Sequence, residues 1–156
     1  MKALVLILFL SLSGMTGHEG SGNDFDRMKT LAGEWESTGP EGKSRVKYEV
    51  ISNGTALMET MVNENMMTIY HPDGASLLLT HYCSAGNEPR MRAKNSGGKG
   101  PIAFQLVDVA NLKAAQEGHM KRLVIKFQDA DHVTQEWTWK EKGKETTSAF
   151  HLQRVK

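Results

Sequence analysis

The chain has 156 residues, a formal charge of +1, and a single cysteine beside 15 glycines and 4 prolines. Lys2 supplies the excess charge; without it the basic and acidic residues balance at 18 each, which leaves no electrostatic footprint for nucleic acid or an anionic membrane. One cysteine makes no internal disulfide, so a single domain of this length has to be held by its apolar core.

Met1 to Gly17 has the pattern of a secretory signal peptide. Lys2 opens it, an apolar run from Ala3 to Leu12 falls short of a bilayer span, and the small residues Ser11, Ser13, Gly14 and Gly17 follow. No cysteine stands there to accept a lipid. The expected product is a secreted or periplasmic protein with no stable membrane insertion after signal cleavage. His18 to Asn23 is Gly/Ser-rich and reads as a flexible leader. The domain proper is expected over residues 24–156, starting with Asp24 as the cap of a short helical turn that carries Phe25, Met28 and Leu31 at helical spacing.

Strand signals then recur. Trp35 opens the first strand, and Gly39-Pro40-Glu41-Gly42 is a turn. Val46, Tyr48 and Val50 alternate with Arg45, Lys47 and Glu49, and Asn53-Gly54 marks a hairpin. Thr55 to Val62 follows, with Glu59 on the face opposite Met58. Met66 to His71 is the next strand, and Pro72-Asp73-Gly74 has the chemistry of a three-residue hairpin loop with a bulge. That loop pairs Met67 with Leu79, Ile69 with Leu77 and His71 with Ala75. It places Met67, Ile69 and His71 on the inward face with Leu77, Leu79, His81 and Cys83, and turns Thr68 and Tyr70 outward; a loop of even length reverses the pairing.

Pro89 to Asn95 reads as a short strand with Arg90, Arg92 and Lys94 on one face, followed by a glycine-rich turn. Ile102, Phe104 and Leu106 alternate. Asp108 to Gly118 is good helix material ending in glycine, hence a helical turn or two, or a long loop. Leu123, Ile125 and Phe127 share a face, as do Val133, Gln135, Trp137 and Trp139. In the last strand Phe150, Leu152 and Arg154 lie opposite His151. About ten short strands joined mostly by tight turns, with no βαβ alternation, imply an all-β fold: a single antiparallel up-and-down β-barrel, or a sandwich.

Gly33-Glu34-Trp35 after a helical turn resembles the Gly-x-Trp start of lipocalins, and Arg154 stands where lipocalins keep an arginine over that tryptophan. The resemblance implies structural roles for Gly33, Trp35 and Arg154. A longer match is formed by LAGEWE, ALMET, MMTIYHPDG, LLLTHYC, GNEPRM and WTW. It is similar to an uncharacterised family of small, often secreted bacterial lipocalin-like (calycin-type) proteins, over about Phe25 to Val155. That family's recurring residues fall on Glu59, His71, His81, Tyr82, Cys83, Asn87, Pro89 and Arg90. The chain also distantly resembles nitrobindins, which bind haem through a late-strand histidine; His151 is the one histidine so placed.

A barrel of this size either fills its interior or holds one small ligand. The leading expectation is a non-enzymatic barrel binding a small hydrophobic or amphipathic ligand, with Met58, Met67, His71, Leu79, His81, Cys83, Arg90, Phe104 and Trp137 as candidate ligand-binding residues. Two alternatives stand beside it: haem on His151, or acid–base chemistry by Glu59, His81 and Arg90 at the barrel mouth. No metal site is expected, since His81 and Cys83 supply two ligands where zinc wants three or four.

Overall fold

The computed structural model describes residues 21–94 and 96–156. The expected signal peptide, 1–17, and the first half of the leader lie outside the described residues. Among the described residues ten strands follow one another: β1 (Gly33–Gly39), β2 (Gly42–Ile51), β3 (Ala56–Met61), β4 (Met66–Asp73), β5 (Ser76–Tyr82), β6 (Glu88–Ala93), β7 (Ile102–Ala110), β8 (His119–Phe127), β9 (His132–Glu141) and β10 (Lys144–Arg154). Each pairs antiparallel with its sequence neighbours, and β1 pairs with β10, so the sheet closes into an up-and-down barrel without an unpaired edge.

The alternation read from the sequence sets the wall in most strands. Val46 and Tyr48, Leu77 and Leu79, Ile102 and Phe104, Leu123 and Ile125, and Val133 and Trp137 are all buried. The alternate positions point to the outer wall, where ion pairs join adjacent strands, such as Lys43–Glu36 at 2.6 Å and Lys126–Glu136.

Strand β4 differs from expectation. Asp73 pairs with Ser76, so the hairpin loop has two residues, Gly74 and Ala75, with Gly74 at φ +57°. An even loop reverses the parity of the strand before it. Thr68 pairs with His81 and Tyr70 with Leu79; Thr68 and Tyr70 are buried, while Met67 is 36% exposed. The inward placement of Met67, Ile69 and His71 is therefore corrected. The same parity holds in β3, where Leu57 and Glu59 are buried and Met58 lies on the outer wall.

The N-terminal helix also departs from expectation. The helix α1 (Ser21–Lys29) begins inside the segment assigned to the leader. Asp24 sits within it and does not cap it. Its carboxylate accepts from the Ser96 backbone N–H at 2.9 Å and hydroxyl at 2.5 Å, tying the helix to the β6–β7 loop. Of the two readings of Asp108 to Gly118 the loop holds: β7 claims the segment as far as Ala110, and residues 111–118 form turns and coil.

Helix α1 covers one end of the barrel with Phe25 and Met28, and Leu31 follows just behind it; all three are buried. Trp35 is fully buried beneath; its indole N–H donates to the Leu31 carbonyl at 2.7 Å, and its ring meets Tyr48 edge-on at 6.5 Å. The Arg154 guanidinium lies 4.3 Å over the Trp35 ring and donates to the carbonyls of Thr30 (2.7 Å), Ala32 (2.9 Å) and Ala130 (3.2 Å). Gly33 has φ +127°, and a Cβ there would stand 3.0 Å from an Arg154 nitrogen. Only glycine meets both conditions without strain.

Candidate functional site: an open mouth and a polar floor

The antiparallel order puts the β1–β2, β3–β4, β5–β6, β7–β8 and β9–β10 connections at the end away from α1. There the barrel is open. A cavity of about 600 Å³ is bounded by Gly39–Ser44, Asn63–Glu64, Cys83–Ala85, Met120, Trp139, Ser148 and Phe150, a volume in the range of about 300–1,000 Å³ usual for small-molecule sites. It narrows into a throat of about 50 Å³ lined by Ser37, Val46, Met61, Met66, Met120 and Phe150, and the throat ends on His81, Gln135 and Trp137. Ser44, Glu64, Met66, Met120 and Phe150 border both spaces, so the two form one funnel.

Close packing shapes the rim. The Trp139 ring lies on Gly118, where a Cβ would come within 2.1 Å of it. Asn87, fully buried, donates from its amide to the Gly118 carbonyl at 2.9 Å, and its backbone carbonyl accepts from Cys83 N–H at 3.1 Å. The β5–β6 loop is thereby fastened to the β7–β8 loop, and the glycine lets Trp139 stand upright beside the opening.

At the floor a carboxylate is buried in the barrel. Glu59 is 0% exposed. The Tyr48 hydroxyl donates to one of its oxygens at 2.9 Å, the Gln135 amide donates to the same oxygen at 2.8 Å, and the Tyr70 hydroxyl donates to the other. Gln135 also donates to the Tyr48 hydroxyl at 2.7 Å, and its own carbonyl accepts from the Trp137 indole at 2.9 Å. Strands β2, β3, β4 and β9 thus each contribute to one network, in which Glu59 accepts three hydrogen bonds directly. Burial raises the Glu59 carboxyl above its ordinary range, and the three hydrogen bonds oppose that rise. Burial, then the Glu59 charge, raises both tyrosines well above theirs, which keeps them protonated as donors.

His81 stands one strand away, paired with Thr68, which is itself paired with Glu59. It is 1% exposed, its ring lies 5.0 Å from that of Trp137, and Nδ1 is 2.9 Å from the Thr68 hydroxyl. Burial pushes its pKa down to about 4, so the imidazole is neutral at pH 7. Its Nε2 is buried and has no hydrogen-bond partner in the protein. Such an atom costs free energy unless something enters the cavity to meet it.

The candidate residues from the sequence part into three groups. His81 and Trp137 end the throat and Cys83 borders the mouth. Leu79 and Phe104 are inward and fully buried, but in the packed half between the floor and α1, where Phe104 meets Tyr70 at 5.8 Å. Met58, Met67, His71 and Arg90 lie on the outer wall; the Arg90 side chain is half exposed and forks onto Asp108. The arrangement of Glu59, His81 and Arg90 at the mouth therefore does not form: Glu59 and His81 are inside and Arg90 is outside, where alternation along β6 directs it. His151 is also outside, exposed on β10 with Nδ1 3.1 Å from Thr134 Oγ1, and so presents no axial ligand to the interior. Among the described residues no group of three or more His, Cys, Asp or Glu side chains is arranged to hold a metal ion.

Sequence reasoning did not single out Tyr48, Thr68, Tyr70 and Gln135. Tyr48 and Gln135 carried a signal, since each alternates with apolar inward residues, and a polar group on such a face must find a buried partner. Thr68 and Tyr70 carried none until the hairpin parity was known.

No protein-family model matches the chain, and no curated protein does. Among solved structures it is similar to EF1p2_mFAP2b bound to DFHBI, at 12% identity and a TM-score of 0.39 over 82% of this chain and 96% of that one. It is also similar to a redesigned beta barrel, b11L5F_LGL, at 10% identity and a TM-score of 0.37 over 82% of this chain and 94% of that one.

Proposed function

We propose that this chain is an exported, lipocalin-like binding barrel that takes a small, largely apolar ligand through the open end and does no chemistry on it. The observation that carries the reading is the funnel. A mouth of about 600 Å³ leads into a methionine- and phenylalanine-walled throat, and the throat ends on a buried histidine nitrogen with no protein partner. Methionine walls suit slender apolar molecules because the unbranched thioether re-packs at little cost. Export rests on the Lys2 and Ala3–Leu12 pattern, and the lipocalin-like kinship on the Gly33-x-Trp35 and Arg154 arrangement.

The test is native mass spectrometry of the exported protein with titration of a neutral apolar dye such as Nile red, and N-terminal sequencing. A retained lipid-sized adduct, or saturable dye binding that is lost in Met66→Trp, supports the reading. An adduct-free mass together with no dye binding overturns it. An N-terminus still at Met1 overturns the export part alone.

A further inference from the structure

We infer that the funnel takes an unbranched, uncharged amphiphile polar end first, so that the polar end hydrogen-bonds Nε2 of His81 while the apolar body fills the throat and reaches back to the mouth. This rests on the binding reading above and states, for the same site, which way round the occupant lies and what class of molecule it is.

The polar end goes inward because an unmet polar atom stands at the far end of the throat. Among the described residues two buried side-chain atoms have no hydrogen-bond partner in the protein, His81 Nε2 and Asn87 Oδ1, and of these two residues only His81 lines the throat. Its neighbours at that end are matched: the Gln135 amide donates to Glu59 and Tyr48, and the Gln135 carbonyl accepts from the Trp137 indole. The 2.9 Å contact between His81 Nδ1 and the Thr68 hydroxyl forms with either group as donor, so Nε2 carries a lone pair in one tautomer and an N–H in the other. Either is a polar atom removed from water, and either is met by a hydroxyl, which both donates and accepts. Between that end and the mouth the wall carries Met61, Met66, Met120 and Phe150, side chains that suit methylenes rather than a head group.

Width and charge narrow the class. The throat of about 50 Å³ lies well below the roughly 150 Å³ cavity that takes up benzene, so it admits a chain end and not a ring. No lysine or arginine lines it. The Glu59 carboxylate behind its end already accepts from Tyr48, Tyr70 and Gln135, and Glu64 is exposed where throat and mouth meet. A carboxylate or an ammonium group at the far end would leave water with no opposite charge free to meet it. Met66, Met120 and Phe150 border throat and mouth alike, so the apolar body runs on into the mouth.

The experiment titrates octan-1-ol and its isomer octan-4-ol by calorimetry at pH 7, with octanoate and octylammonium as charged forms of the same chain and 8-bromooctan-1-ol as a quencher of tryptophan fluorescence. Octan-1-ol is expected to bind about tenfold more tightly than octan-4-ol, the usual contribution of one well-made buried hydrogen bond, and more tightly than either ion. In His81→Leu the two isomers are expected to bind alike. The orientation is read without altering His81. Bromine at the far end of the chain is expected to quench Trp139, which borders the mouth, and to spare Trp137, which ends the throat, so quenching persists in Trp137→Phe and falls in Trp139→Phe. The ¹⁵N resonance of His81 Nε2 is expected to shift on octan-1-ol binding, whichever ring nitrogen holds the proton. Equal binding of the two isomers, tighter binding of either ion, quenching of Trp137, or an unmoved Nε2 resonance overturns the polar-end-first inference and leaves the binding barrel standing. No binding by any of these probes overturns it too, and overturns the binding barrel with it when Nile red also fails to bind.

Discussion

The two ends of this barrel handle buried polar groups in opposite ways. Under α1 the polar groups are matched within the chain. The Trp35 indole has the Leu31 carbonyl, and the Arg154 guanidinium has three carbonyls and an aromatic face. At the open end Glu59 gathers three donors at the floor, yet His81 Nε2 above it has none. A matched buried polar group contributes modestly to stability, whereas an unmatched one costs on the order of 1–3 kcal/mol. The α1 end is thus built to hold the fold, and the floor carries a cost that no side-chain partner among the described residues offsets.

The largest effect is expected at the α1 end. Trp35→Ala removes a fully buried indole and should destabilise the protein by about 3–5 kcal/mol in denaturant unfolding; an unchanged midpoint would mean that this end does not anchor the barrel. Next comes the floor, read through pH. Between pH 6.5 and about 4 the unfolded chain protonates its histidine while native His81 stays neutral. Its contribution is complete above pH 6.5 and is lost as the pH falls toward 4, by roughly 3 kcal/mol at most. Glu59 works in the opposite sense: its raised native pKa favours the fold at low pH, and that advantage is lost as the pH rises through the native value. Stability measured from pH 7 to pH 4 should therefore flatten in His81→Phe and steepen in Glu59→Gln; parallel curves for all three proteins would show that the floor does not titrate as its burial requires.

Gly33→Ala forces a side chain into a left-handed backbone position and against Arg154, and a loss of about 1–3 kcal/mol is expected by thermal unfolding. A loss confined to a few tenths would show that the arginine strap yields easily. The smallest effect belongs to the rim. Cys83→Ser, at a half-buried position on the mouth, should stay within about 0.5 kcal/mol of the parent. A large loss there would blur the division between the two ends.

Local periodicity determined much of this protein. Alternation in β2, β5, β7, β8 and β9 marked the inward side chains, and tight turns between ten runs left an antiparallel barrel as the economical closure. His81 and Trp137 could be placed inside because the parity of their own strands was unambiguous. Strand β4 could not be read that way. Pro72-Asp73-Gly74 suits a loop of two residues or three, and that one-residue difference moves every side chain of the strand to the other face. Met67 and His71 went outward and Thr68 and Tyr70 came inward on that account alone. Glu59 was illegible for another reason. A carboxylate in a strand is ordinarily solvated, and what keeps this one inside is a set of donors from β2, β4 and β9, up to 76 positions away in the chain. Sequence fixes which residues alternate, because the pleat has a period of two. Which polar groups meet across the interior, and that His81 Nε2 and Asn87 Oδ1 are left unmet, was decided only when the sheet closed and brought distant strands within hydrogen-bonding reach.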